Sequence, residues 1–276
     1  MSSHSVRFAV LDIDGAQIDL LAACEWYRAL SRGALALSVG MRRGLRTEHA
    51  AEEFAVSGGM GRAPLNSQAL AAEALSALGA VERDQLARPD THLVLAVPAC
   101  FRAHTWRLRG GGFALGGGAW CRRYAILPQG ASLGAIVHEL GHLLFEWPDF
   151  RASSRLGQDC LMAQGGYRAG GRDPSPPCAP LLLERGWRAR LELTSDTRVV
   201  DLARDRVGVF AWQGRELAIE LRDEPGRRRL LVMHDERESA NQVRLIARAA
   251  VGDADMQRRV LAVIASDLGA VDVLAR

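Results

Sequence analysis

The sequence predicts a mixed α+β protein with a β-rich C-terminal region. Three observations carry this. In the first two thirds of the chain, short apolar runs bounded by turn residues alternate with longer segments in which alanine and leucine recur at helical spacing. From about residue 188 the pattern changes to short alternating segments separated by turn residues. The composition, 48% apolar and 24% charged over 276 residues, is that of a globular chain with a real core. This length fits one main domain with an appendage, placed at 1–187 and 188–276.

The elements follow in order. "VRFAVLDI" (6–13) reads as a buried strand, "LLAACEWYRALSRG" as a helix closed by Gly33, and "ALALSVGM" as a second strand. A polar, glycine-containing stretch covers 42–64. "LNSQALAAEALSALGA" has Asn66 or Ser67 as its cap, an alanine-leucine face and a stop at Gly79. "THLVLAVPAC" (91–100) is a further strand. "RGGGFALGGGAW" lacks both the GxGxxG spacing and a following lysine, so a flexible edge strand or hairpin is expected there, not a phosphate cradle. "RRYAILP" is a strand ending at Pro128. A helix containing "HELGH" comes next, then a loop-rich stretch to a helical "LLLERGW". "ARLEL", "RVVDL", "VGVFAW", "ELAIELRD" and "RLLVMHD" are expected to form an antiparallel β unit, and "DADMQRRVLAVIASDLGA" a closing amphipathic helix.

Several functions are disfavoured at this level. The net charge of +3, from 35 basic and 32 acidic residues, is too balanced for a nucleic-acid partner, and no apolar run reaches membrane-spanning length. All 35 basic residues are arginine. A Walker A loop, a pyridoxal Schiff base and the phosphate-pairing residue of a protein kinase each need lysine, so none is available in its usual form. The five cysteines include no CxxC, and free thiols are expected; Cys160 with Cys178 and Cys100 with Cys121 are the pairs to test for disulfides. The N-terminus reads as a strand followed by Asp12 and Asp14, not as a signal peptide, which favours a cytoplasmic chain.

The chemistry is concentrated in "SLGAIVHELGHLLFEWPDF" (132–150). Ser132 can cap a helix whose apolar residues Leu133, Ile136, Val137, Leu140, Leu143 and Leu144 recur at helical spacing. On that helix His138 and His142 are one turn apart and point the same way, as a chelating pair for Zn²⁺ requires. Glu139 is rotated off the chelating axis, where it can act on a water held by the metal instead of occupying the metal. With seven histidines in the chain, an HExxH arises by chance with a probability of roughly one in a hundred. A catalytic zinc usually takes a third protein ligand. Asp149 is the nearest oxygen ligand beyond the helix. Glu146 is the other candidate, but it lies eight residues after His138, about 12 Å along a helix, too far to share one ion easily. Pro148 marks a helix boundary near Trp147 that can swing Asp149 back.

"HELGHLLFEWPDF", "DCLMAQG" and "PCAPLLLERGW" together resemble the immune inhibitor A family of bacterial zinc metallopeptidases, which are metzincin-like. The matching pieces are His138, Glu139, His142, Pro148-Asp149, Leu161-Met162 and Gly186-Trp187, and the resemblance covers roughly residues 90–190. It implies a metzincin-like catalytic domain, built from a twisted mixed sheet and the active-site helix. The activity implied is that of a zinc endopeptidase acting on protein or peptide substrates, with His138, His142 and Asp149 on the metal and Glu139 as general base. It also implies a Met-turn at Met162. Tyr167 is a candidate for oxyanion stabilisation, and the glycine-rich strand for pairing with an extended substrate. The chain departs from the family where Phe145 replaces the usual glycine three residues after the second histidine and the acidic residue comes one place later. One extra residue before the turn accounts for both. The family is typically secreted. Alternatives are a non-peptidase zinc hydrolase, a latent relative that serves as a protein-binding module, and, ranked below these, a thermolysin-like site with Glu184 as third ligand.

Overall fold

The apolar run near the N-terminus forms β1 (His4–Ile13) in the computed structural model, which describes residues 4–60, 63–150, 152–193, 206–212, 215–224, 227–235 and 243–250. The elements after it are α1 (Leu21–Leu30), β2 (Leu35–Leu45), α2 (Ala51–Phe54), α3 (Ser67–Ser76), α4 (Ala80–Leu86), β3 (Thr91–Val97), β4 (His104–Arg107), β5 (Phe113–Gly116), β6 (Ala119–Cys121), β7 (Arg123–Pro128) and α5 (Leu133–Phe145). Beyond them lie α6 (Ala179–Glu184), β8 (Ala189–Leu193), β9 (Arg206–Trp212), β10 (Arg215–Glu224), β11 (Arg227–Asp235) and β12 (Val243–Ala250). The molecule is α+β, as the sequence predicts.

The chain divides into two compact units. The first comprises 1–147 with 166–174, and the second 148–165 with 175–276. The first is organised on a five-stranded mixed sheet in the order β2-β1-β3-β7-β4, with β1, β2, β3 and β7 parallel and β4 antiparallel to β7 at the edge. Phe8 to Ile13 of β1 are all buried, as expected of a central strand covered on both faces. Leu11, Ile13, Leu95, Val97 and Ile126 form one core with Leu70, Ala74 and Leu75 of α3. α1 and α5 contribute nothing to that core. They pack on each other, α1 also against β2 and α5 against β7 and β4.

Asn66 caps α3, its side chain accepting from the amides of Gln68 and Ala69. The glycine-rich segment forms a hairpin of its own, β5 with β6, outside the main sheet. The strand expected there to receive an extended substrate is therefore not the sheet edge beside α5; β4 is.

The second unit holds a five-stranded sheet in the order β12-β11-β10-β9-β8. Four strands are antiparallel neighbours, whereas β8 runs parallel to β9 and corrects the expectation of a wholly antiparallel unit. A parallel pair needs a longer connection than a hairpin, and twelve residues, 194–205, separate these two strands. "RVVDL" and the C-terminal helix expected from the sequence lie outside the described residues. Within this unit Arg222 is buried and paired with Glu220 (Nε–Oε1 2.8 Å), and it also donates to the carbonyl of Pro177. All five cysteines are free thiols. Those of Cys160 and Cys178 are buried, and burial first, then the hydrogen bond they share, makes the Cys178 thiol harder to ionise.

Candidate metal centre

α5 starts where the sequence places a cap. Ser132 is extended, and its Oγ accepts from the Ala135 amide at 3.3 Å. Ile136, Val137, Leu140 and Leu143 are buried, which leaves His138 and His142 partly exposed. Their rings stand edge to face, with centroids 4.8 Å apart and the two Nε2 atoms at 3.1 Å. Two nitrogens at adjacent corners of a tetrahedral zinc site with bonds of about 2.0–2.1 Å lie about 3.3 Å apart, so the pair has the spacing of a chelate.

The tautomer of His142 follows from its other nitrogen. Nδ1 lies 2.5 Å from the carbonyl oxygen of Trp147. A carbonyl only accepts, so Nδ1 carries the proton and Nε2 presents its lone pair towards His138. Asp149 follows a few residues later in the chain. One ligand atom from each of His138, His142 and Asp149 lies within 4.8 Å of the others, the one such group among the described residues. Two imidazoles and a carboxylate are a donor set that fits Zn²⁺.

Two side chains fix the helix on either side of His138. Tyr27 Oη, from α1, donates to the Val137 carbonyl at 2.7 Å, and burial pushes its phenol well above the usual value, so it remains a donor. Thr105 Oγ1, from β4, donates to the Glu139 carbonyl at 2.8 Å. Glycines set a third contact. A Cβ on Gly134 would lie 1.7 Å from the Gly166 carbonyl oxygen, so the first turn of α5 and the segment carrying Tyr167 meet backbone to backbone.

A cleft of about 500 Å³ opens beside this helix. His138 and Glu139 line it together with Tyr167 and Arg102, and the remaining wall is small: Ala103, Pro128, Ala131, Gly134, Ala135 and Gly166. Glu139 is 8% exposed and Tyr167 is 70% exposed. The arrangement places an imidazole and a carboxylate, from consecutive residues, at the wall of one cleft. That geometry suits proton transfer to and from a bound substrate.

Glu146 and Glu184, the other candidate ligands, are engaged elsewhere. Glu146 adopts the left-handed conformation at the end of α5, and its carboxylate accepts from Arg107 and Arg123, both at 2.5 Å. Glu184 lines a separate cleft of the second unit with Arg188, Arg190 and Glu216. Met162 is buried in a turn, its carbonyl accepting from the Phe150 amide. His104 is buried against Ser67, with Nε2 and Oγ 2.8 Å apart. Sequence reasoning missed Arg102, Thr105, Tyr27 and the Trp147 carbonyl. No motif marks the first three, and a backbone carbonyl has no sequence signature. No known family's model and no curated protein matches the chain.

Proposed function

We propose that the chain is a zinc-dependent endopeptidase in which His138, His142 and Asp149 hold the metal and Glu139 is the general base. The observation that carries this reading is the chelate spacing of His138 and His142 on α5, with His138 and Glu139 at the cleft wall and Asp149 the carboxylate that can complete the donor set. The mixed sheet with α5 packed against it supports the metzincin-like architecture implied by the resemblance to the immune inhibitor A family.

A bound divalent ion supplies Lewis acidity, acidifying water and polarising a carbonyl oxygen. The chain's own residues do the rest. His142 is held in the ligating tautomer by the Trp147 carbonyl. Glu139 takes a proton from water as the oxygen adds to the scissile carbonyl carbon. It then hands that proton to the amine nitrogen as the C–N bond breaks, so protons balance over the cycle. Tyr167 stands at the cleft wall, within the same set of lining residues, as a hydrogen-bond donor. An extended peptide finds a strand edge in β4, whose outer side pairs with no other strand among the described residues.

The test is the Glu139→Gln variant. It is expected to retain one zinc per chain while casein hydrolysis falls by about 10²–10⁴-fold; undiminished turnover overturns the reading. Asp149→Ala is expected to lower zinc content sharply by metal analysis, and zinc remaining at one per chain assigns the third position to another ligand.

A further inference from the structure

Arg102 is the one arginine among the described residues that line the cleft beside Glu139. Arg102 is anchored through its backbone: its amide donates to the Gly58 carbonyl at 3.0 Å, and its carbonyl lies 2.8 Å from His104 Nδ1. Its stem fills the space where a side chain at position 58 would stand, since a Cβ on Gly58 would lie 2.6 Å from Arg102 Cγ. Gly58 has φ +73, so two features of that residue, its backbone conformation and its missing side chain, serve this packing. Arg102 is itself part of the cleft lining. Among the described residues no carboxylate pairs with it, whereas Arg42, Arg43, Arg107, Arg123, Arg168, Arg190 and Arg222 each have an acidic partner. The neighbouring wall, from Ala103, Pro128 and Ala131, is small and offers no competing charge.

From this we infer that Arg102 is a specificity-determining residue, and that the cleft takes substrates carrying a carboxylate close to the bond cleaved. Guanidinium and carboxylate match as a forked, charge-assisted pair, which positions a substrate as well as binding it. The inference rests on the endopeptidase reading for the word substrate, but binding of the carboxylate is measurable without turnover. Two sources supply such a group, an acidic side chain and a free C-terminus.

The experiment uses the full-length, zinc-loaded protein and its Glu139→Gln variant, each with and without Arg102→Gln. Four fluorescent peptides share one core sequence. One carries Glu at a single central position with an amidated C-terminus. The second carries Gln there with the amide. The third carries Gln with a free carboxylate, and the fourth Glu with a free carboxylate. Binding is read by fluorescence polarisation and cleavage by chromatography.

The expected result is that carboxylate-bearing peptides bind about three- to tenfold more tightly than the Gln amide, and that Arg102→Gln collapses the ratio. Whether the first or the third peptide gains more identifies the source. Arg102→Lys should keep part of the preference, and its thermal melt reports whether the fold is intact. Equal binding of all four peptides, binding of none, or a ratio unchanged by Arg102→Gln overturns the inference. Failure of the wild-type protein to cleave any peptide counts against the endopeptidase reading alone, because the binding ratios stand independently of it.

Discussion

Glu146 shows how one residue shapes the site's boundary. Helices commonly end on a left-handed glycine. The chain makes that turn at Glu146 (φ 58, ψ 22), one residue after Phe145. The left-handed region costs a side-chain-bearing residue about 1–2 kcal/mol, and exposed ion pairs such as those to Arg107 and Arg123 return about 0–1 kcal/mol. Urea denaturation of Glu146→Gly should therefore give a stability within about 1 kcal/mol of the parent, whereas Glu146→Val should fall clearly below both, since a β-branched residue tolerates this conformation worst. Ser132→Ala should lose about 1 kcal/mol through the missing cap to Ala135. At this scale the sequence was informative where chemistry is tied to residue type, as in His138, Glu139, His142 and the Ser132 cap. It was silent on Arg102, because one arginine among 35 basic residues carries no mark of where its guanidinium ends up.

The helix carrying the histidines packs against α1, β7 and β4, and two elements of this unit, β4 and α4, were not legible. β4 has four residues and no alternating pattern of its own; its pairing with β7, not its propensity, makes it a strand. α4 was hidden because Gly79 reads as a helix stop, whereas it is the N-cap of the next helix. The long runs of β1, β3 and α5 were legible because burial imposes its period directly on the sequence. β4 is anchored by His104, whose imidazole contacts Ser67, which in turn lies 3.1 Å from the Tyr124 hydroxyl. Burial holds the pKa of His104 below its usual value, and that of His92 likewise. The unfolded chain then takes up protons first as pH falls. The stability from these groups is complete above about pH 6.5 and is lost as pH drops through that value towards the folded pKa. Urea midpoints should be flat above pH 7 and decline from pH 6.5 to 5. His104→Gln should flatten part of that decline, and a profile identical to the parent's would remove His104 as its origin. Gly134→Ala is the severe test of the contact to Gly166: backbone must move by more than an ångström. The variant is expected to lose stability and to perturb the fluorescence of a Trp probe placed at Tyr167.

For the whole molecule, the α+β class was legible, because layered elements leave their periods in the sequence whatever their partners. The grouping into units was not, since which segments touch depends on residues far apart in the chain. In the second unit the Glu220–Arg222 pair is buried at both ends. Glu220→Ala leaves an uncompensated cation there and should destabilise by about 3–5 kcal/mol, while Glu220→Leu combined with Arg222→Met should recover most of the loss. Chemical denaturation of the three variants decides this, and equal stabilities would show that the pair is dispensable. The assignment of residues 148–165 to one unit and 166–174 to the other has a consequence for dissection at the gene level. No single scissor point yields either body intact: a fragment stopping at Trp147 forfeits the stretch with Tyr167, and one stopping later drags part of its neighbour along. A graft of either body must therefore carry the interleaved segments of both.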